Sequence, residues 1–198
     1  MTRRIGVLGG TFDPIHHAHL VAAQEAAWAM QLERVLFVPA RQPPHKLNEP
    51  ITRAHHRLAM TAAAIAANPL FDVSTVDIDR EGPSYTVDTL RALSGPGTEL
   101  WFIIGMDSLR DLASWYDPGG ILELARVVAV GRPGNVTVDP ASLEAAVPRA
   151  KGRIHLAPMP PLDISSTDIR ERVATGRPIR YLTPDPVVAY IAEHGLYR

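Results

Sequence analysis

Residues 4–20 of the chain read RIGVLGGTFDPIHHAHL, and this stretch decides the fold. The apolar run at residues 5–8 predicts a buried strand, and Gly9 with Gly10 predicts a sharp turn directly after it. A helical pattern then extends from about residue 15 to about residue 30. A strand, a glycine turn and a helix start present free backbone N–H groups and the positive end of a helix dipole. This arrangement suits an anion.

Two histidines at the predicted helix start distinguish this stretch from a generic nucleotide-binding loop. His16 and His19 are three residues apart, so we expect them on one face of the first helical turn. Two imidazoles beside an anion site can donate hydrogen bonds to phosphoryl oxygens and stabilise charge during phosphoryl or nucleotidyl transfer. His17 points about 100° away from its neighbours and is interpreted as an ordinary surface residue or as one that lies just behind the site.

Zinc binding is the competing interpretation of these histidines. The His16 and His19 pair supplies only two imidazoles, the chain has no Cys, and no carboxylate is spaced for a catalytic zinc site. We therefore expect no metal ligated by the protein.

A second stretch far along the chain also combines polar side chains with a predicted helix start. Its residues 164–170 read ISSTDIR. Ser and Thr before a periodic stretch are good helix N-caps, which predicts a helix from about residue 166 or 167 to residue 174. Arg170 lies in its first turn, so hydroxyls, free N–H groups and a planar cation form a second candidate anion site. Alone, this stretch would be interpreted as an ordinary cap with a surface Arg.

Size and composition exclude several classes of protein. With 198 residues, we expect a single domain, residues 1–198, with a small helical C-terminal portion from about residue 165. The 20 basic and 21 acidic residues give a net charge of −1, which argues against a nucleic-acid partner. No apolar run reaches the ~18 residues of a membrane span, and the N-terminus is no signal peptide. We expect a soluble cytoplasmic protein with no membrane partner, and a homo-oligomer stays open.

Apolar runs alternate with helical patterns along the chain. The interpreted strands lie at residues 5–8, 35–38, 71–79, 100–104, 126–130 and 154–156, with helices at 52–68 and 84–93 among them. This alternation predicts an α/β fold, a Rossmann-like open parallel sheet with helices on both faces. Ligands of such sheets bind beyond the carboxyl ends of the strands, where both motifs fall.

Both motifs resemble those of a known superfamily. Residues 10–19 resemble the nucleotidyltransferase signature G-x-F-D-P-x-H/T-x-G-H, with Ala18 where the family usually has Gly. Residues 164–170 match the I-S-S-T-x-I-R motif of the same superfamily without a gap.

The whole chain resembles the bacterial nicotinate mononucleotide adenylyltransferases. The resemblance continues through Ser84-Tyr85-Thr86 and Ser114-Trp115-Tyr116 to the ending His194-Gly195-Leu196-Tyr197. It implies adenylyl transfer from ATP to nicotinate mononucleotide, with Mg²⁺ accompanying ATP, to give nicotinic acid adenine dinucleotide and pyrophosphate in NAD biosynthesis. The small-molecule substrates are then ATP and nicotinate mononucleotide.

The resemblance also implies a set of site residues. The catalytic residues would be His16, His19, Lys46 and Arg170. ATP would contact Gly9, Gly10, Thr11, Phe12, His16, His19, Gly105, Asp107, Arg132, Ile164, Ser165, Ser166, Thr167 and Arg170. Nicotinate mononucleotide would contact Thr11, Lys46, Thr86, Trp115 and Tyr116.

Several of these assignments have a physical reason of their own. Asp107 follows a predicted central strand, where a carboxylate can accept hydrogen bonds from ribose hydroxyls; the alternative is a helix cap. A flat indole at Trp115, the Thr86 hydroxyl and free helix N–H groups suit a pyridine carboxylate. Lys46 is expected to move onto phosphate as its loop closes. Arg57 is a weaker candidate for the same role.

Other functions stay open or are excluded by particular features. Adenylyl transfer to another acceptor such as phosphopantetheine is disfavoured, because those enzymes are shorter and usually carry Thr at the position of His16. A regulatory module without turnover is disfavoured by the intact histidines, Lys46 and Arg170. A kinase of the P-loop type is excluded, because no G-x-x-x-x-G-K-[ST] occurs in the chain.

Overall fold

A parallel sheet of six strands forms the centre of the computed structural model. The structure describes residues 2–44, 50–131 and 140–198, with only the backbone of residues 140–142. Within these residues the strands are β1 (Arg3–Gly10), β2 (Arg34–Pro39), β3 (Phe71–Val73), β4 (Thr98–Gly105), β5 (Ala125–Gly131) and β6 (Ile154–Pro158). Their order is β3-β2-β1-β4-β5-β6, and every pairing is parallel. The strand order reverses beside β1, which creates a crevice at the carboxyl ends of β1 and β4.

Helices cover both faces of this sheet. They are α1 (His17–Met30), α2 (Ala54–Ile65), α3 (Val76–Asp79), α4 (Thr86–Leu93), α5 (Met106–Asp111), α6 (Pro118–Leu124), α7 (Pro140–Ala146), α8 (Ser166–Ala174) and α9 (Asp185–Glu193). One buried cluster includes Ala23, Phe37 and Ile103, and another includes Leu90, Phe102 and Val127. The predicted Rossmann-like α/β fold is therefore confirmed.

The predicted strand at residues 71–79 is wrong in its second half. Only Phe71–Val73 pairs with β2, and a short helix, α3, follows from Val76. The neighbouring strand β2 ends at Pro39, so a longer β3 would soon lack a partner for its backbone. The buried Asp77 carboxylate instead accepts hydrogen bonds from Thr89 Oγ1 at 2.6 Å and Arg80 Nη2 at 2.9 Å.

The direction of the helices brings several helix starts to one edge of the sheet. In a right-handed β-α-β unit the helix runs antiparallel to the strands, so it begins at their carboxyl edge. Helices α1, α4, α5 and α8 begin on this edge. Among the described helices, none combines the length and apolar character that a membrane crossing requires.

Candidate active site

The turn after β1 is shaped by a glycine and an aromatic ring. Phe12 is buried and has a left-handed backbone with φ of 50°. A Cβ on Gly10 would lie 2.7 Å from this ring, so Gly10 must be glycine for Phe12 to occupy its position. A Cβ on Gly9 would meet nothing within 4 Å, which leaves open space beside the end of the strand. The predicted sharp turn at Gly9 and Gly10 is wrong, because both glycines belong to β1 and pair with Val38 and Pro39 of β2. The chain leaves the sheet only after Gly10, and the left-handed residue there is Phe12.

The structure brings the two predicted histidines into contact. The rings of His16 and His19 stack with centroids 3.8 Å apart and an interplanar angle of 25°. His16 is the N-cap residue with an extended backbone, so it lies just before the first turn. Its backbone N–H donates to Nδ1 of His19 at 3.3 Å. A neutral His19 must then carry its proton on Nε2, where it can donate to a ligand.

Burial keeps both imidazoles neutral. It is the main reason why the pKa of His16 falls from 6.5 to about 4, and His17 lowers that pKa further. Burial, followed by His16, also holds the pKa of His19 well below its ordinary value. Within the described residues, the buried Nδ1 of His16 has no hydrogen-bond partner. At neutral pH the pair therefore offers N–H donors instead of positive charges.

The start of α8 lies against the same loop. Ser165 caps the helix by accepting a hydrogen bond from the Asp168 backbone N–H at 3.1 Å, and α8 begins at Ser166 as predicted. Ser166 Oγ donates to the Pro14 carbonyl at 2.8 Å across 152 residues of sequence. Half-buried Ile164, just before the cap, packs against the core. The two motifs therefore build one site.

Arg170 connects α8 to the loop by its guanidinium. Nη1 donates to the Asp13 carbonyl at 2.8 Å, and Nη2 donates to Thr167 Oγ1 at 3.3 Å. A guanidinium has five N–H groups, so these two bonds fix its plane and leave donors for a phosphate.

The expectation that Arg57 contacts phosphate is contradicted by its contacts. Its side chain is fully buried and donates to the carbonyls of Thr52 at 2.8 Å, Thr11 at 2.7 Å and Arg41 at 3.2 Å. A guanidinium that clamps three backbone segments cannot swing out to a ligand. Arg57 instead holds Thr11, the first residue after β1.

The end of β4 presents an exposed carboxylate. Gly105 ends the strand, and Asp107 lies in the first turn of α5 with 98% of its side chain exposed, 3.6 Å from Arg110 Nη2. A carboxylate in this position is accessible to a ligand in the crevice. The start of α5 is itself positioned by β5, because the Met106 side chain packs over Gly131.

The two segments predicted to bind the acceptor are brought together. Thr86 is the first residue of α4, and the Tyr85 ring lies 4.4 Å from that of Tyr116. Tyr116 is 61% exposed, whereas Trp115 is half-buried and packs edge-on against Phe102 at 6.0 Å. The Tyr85–Tyr116 contact therefore brings the segment at residues 114–116 to the start of α4, where Thr86 lies.

Two predicted site residues, Lys46 and Arg132, lie outside the described residues. Within the described ranges, no three His, Asp or Glu side chains are grouped so that they could hold a metal ion.

Sequence reasoning gave no role to Asp13 and Tyr197. Asp13 is buried, and its Oδ1 accepts a hydrogen bond from the Tyr197 hydroxyl at 2.6 Å. Thr183 Oγ1 likewise donates to the Ile15 carbonyl at 2.7 Å. Asp13 belongs to the first motif and Tyr197 to the ending that carries part of the resemblance, but neither pattern indicated that the two residues meet.

The parallel sheet and the two joined motifs define a protein of the cytidylyltransferase-like class. A family model with this description matches residues 7–172, which include both motifs.

Curated relatives narrow the class to one family. A relative from Roseiflexus sp. is 53% identical over 195 residues and covers 98% of each chain. Another from Thermomicrobium roseum is 51% identical over 197 residues, 98% of this chain and 92% of its own. Both are named "probable nicotinate-nucleotide adenylyltransferase". The chain belongs to the nicotinate-nucleotide adenylyltransferase family.

A solved structure agrees with the fold. The Plasmodium falciparum nicotinic acid mononucleotide adenylyltransferase, complexed with NaAD, superposes with a TM-score of 0.78. The match covers 98% of this chain and 97% of the other at 22% identity. At this identity it supports the architecture alone.

Proposed function

We propose that this protein transfers the adenylyl group of ATP to nicotinate mononucleotide, producing nicotinic acid adenine dinucleotide and pyrophosphate in NAD biosynthesis. The observation that carries the proposal is the direct contact between the two motifs. Ser166 and Arg170 bind the carbonyls of Pro14 and Asp13, so both helix starts face one anion-binding crevice. Relatives 53% and 51% identical over nearly the whole chain, named for this activity, support the choice of acceptor.

His19 is the donor best placed for the reacting phosphate. Its Nδ1 is occupied by the His16 backbone, so Nε2–H donates to an oxygen of the α-phosphate as charge develops there. His16 supplies a second imidazole for the triphosphate. Neutral, stacked rings act as fixed dipoles that need little reorganisation during the reaction. Arg170 and Lys46 bind the remaining phosphate oxygens.

The reaction itself needs no general base. A phosphate oxygen of nicotinate mononucleotide attacks the α-phosphorus in line, and its new P–O bond forms as the bond to the pyrophosphate oxygen breaks. A phosphate monoester is already nucleophilic near neutral pH, so the rate arises from positioning and charge stabilisation. Mg²⁺ bound mainly by triphosphate oxygens and water neutralises charge on ATP.

The two sides of the crevice take the two nucleotides. Asp107 accepts hydrogen bonds from the ribose hydroxyls of ATP, and the glycine end of β1 lets the phosphates of ATP approach the backbone closely. Trp115 and Tyr116 stack on the pyridine ring, while Thr86 and the start of α4 bind its carboxylate. Residues 1–198 act as one domain in the cytoplasm, where ATP is the available adenylyl donor.

The test is pyrophosphate release with ATP and Mg²⁺, with nicotinate mononucleotide, nicotinamide mononucleotide and phosphopantetheine compared in parallel. We expect strong turnover with nicotinate mononucleotide. Turnover with phosphopantetheine alone, or with none of the three, would overturn the proposal.

A matched pair of variants tests the two sides of the crevice. Thr86→Val keeps the shape of the side chain and removes the hydroxyl, so we expect KM for nicotinate mononucleotide to rise about tenfold. Asp107→Asn should instead raise KM for ATP. An unchanged KM for both substrates in both variants would remove these residues from the binding sites.

A further inference from the structure

The last residues of the chain turn back into the nucleotide-binding loop. After α9 ends at Glu193, Gly195 and Tyr197 both adopt left-handed backbones, with φ of 59° and 65°. The Leu196 N–H donates to the Ile191 carbonyl at 3.1 Å and closes the turn. A left-handed tyrosine is strained, so contacts of its side chain must hold it in place.

The main such contact is with the carboxylate of Asp13. The Tyr197 hydroxyl donates to Oδ1 at 2.6 Å, and the Thr52 backbone N–H donates to Oδ2 at 3.0 Å. Asp13 is 4% exposed, so these bonds replace those that water would make. Burial, followed by the charge of Asp13, raises the pKa of Tyr197, and its hydroxyl remains a donor at any physiological pH.

Asp13 is also connected to the two residues that are proposed to bind phosphate, Arg170 and His19. Its own carbonyl accepts from Arg170 Nη1 at 2.8 Å. The preceding residue, Phe12, packs its ring edge-on against His19 with centroids 5.1 Å apart. A shift of Asp13 therefore moves both the carbonyl that orients Arg170 and the ring that supports His19.

We propose that Tyr197 is a positioning residue for adenylyl transfer: its hydroxyl fixes Asp13, and through Asp13 it sets the positions of Arg170 and His19. This inference rests on the proposed function. Tyr197 does not touch the reacting atoms; it acts through the loop at residues 11–14. A tyrosine with a purely structural role would hold α9 against α2 and would leave the positions of Arg170 and His19 unchanged.

The test compares Tyr197→Phe with Tyr190→Phe. Tyr190 is a matched control, because it lies on α9 and its hydroxyl lies 3.0 Å from Nδ1 of His56 on α2, so its side-chain hydrogen bond joins two helices instead of reaching residues 11–14. With ATP and nicotinate mononucleotide, Tyr197→Phe should lower kcat about tenfold and leave KM for nicotinate mononucleotide within about twofold. Tyr190→Phe should leave kcat within about twofold, although both variants lower Tm.

A double-mutant cycle identifies the route of the effect. Asp13→Asn alone should reduce kcat at least as much as Tyr197→Phe, and adding Tyr197→Phe to it should cost less than about twofold more. Wild-type kcat in folded Tyr197→Phe, or independent effects in the double variant, would overturn the inference.

A failure of the proposed function can be distinguished from a failure of the inference about Tyr197. If the wild-type protein releases no pyrophosphate, the acceptor assignment falls, and calorimetric titration with ATP and Mg²⁺ decides the inference. Tyr197→Phe should then bind ATP about tenfold more weakly than Tyr190→Phe. Equal affinities would overturn it.

Discussion

The imidazole rings of His16 and His19 stack at 3.8 Å, with the His16 backbone N–H directed at Nδ1 of His19. This contact assigns the acceptor nitrogen and the donor nitrogen of His19. Since burial also keeps the ring neutral, His19 can act on phosphate only as an N–H donor from Nε2. The histidines of the first motif are thus a preorganised hydrogen-bonding pair.

The first prediction concerns the loss of this donor. His19→Ala should lower kcat on the order of a hundredfold or more, because one fixed donor to the reacting phosphate is removed. Pyrophosphate release measures the effect. His17→Ala is the matched control and should retain kcat within about twofold. Near-normal turnover in His19→Ala would remove the histidines from the mechanism.

The second prediction concerns acid stability. His16 has a folded-state pKa of about 4 against 6.5 in the unfolded chain, so the unfolded state binds more protons between these values. The contribution of His16 to the free energy of unfolding is therefore complete above about pH 6.5, and it is lost as the pH drops towards 4. The loss is on the order of 3 kcal/mol.

The measurement is urea unfolding of the wild type and His16→Gln at about pH 7 and about pH 4.5. The variant should lose less unfolding free energy on acidification, because it lacks this titrating group. Equal losses in the two proteins would show that His16 does not contribute.

The third prediction concerns the carbonyl clamp of Arg57. Arg57→Lys should lower the free energy of unfolding by roughly 3 kcal/mol, because one ammonium group cannot reach three carbonyls in different directions. Arg91→Lys is the control, since Arg91 pairs with Asp88 on the surface, and it should change stability by less than about 0.5 kcal/mol. Equal stability of the two variants in urea would contradict the clamp.

The fourth prediction concerns the start of α5. A Cβ at residue 131 would lie 2.2 Å from Met106 Cγ, so Gly131→Ala should displace Met106 and the adjacent Asp107. We expect KM for ATP to rise about fivefold to tenfold. Adding Met106→Ala makes room for the new methyl group and should restore much of the affinity. No recovery in the double variant would mean that the glycine acts in another way.

Local patterns predicted much of the fold and both motifs. The strand at residues 5–8, the helix starting at Ser166 and the parallel arrangement are confirmed, because period and capping chemistry are local properties. The predicted strand at residues 71–79 is right at Phe71–Val73 and wrong in its second half, where the buried contacts of Asp77 accompany the short helix α3. The proposed ligand roles of Thr86, Asp107 and Arg170 stay predictions.

The sequence by itself determined the α/β fold with its parallel sheet, and the family. The anion-binding character of residues 9–19 and 164–170 stays a prediction. Only the tertiary structure decided which polar groups are used up by hydrogen bonds within the protein and which keep donors for a ligand. Arg57 and Arg170 are both guanidiniums near the loop, but three carbonyls enclose Arg57, whereas Arg170 keeps donors for a ligand. The Tyr197 contact with Asp13 spans 184 residues of sequence. Such pairings follow from burial, which forces each polar group to find its partner in space whatever the distance along the chain.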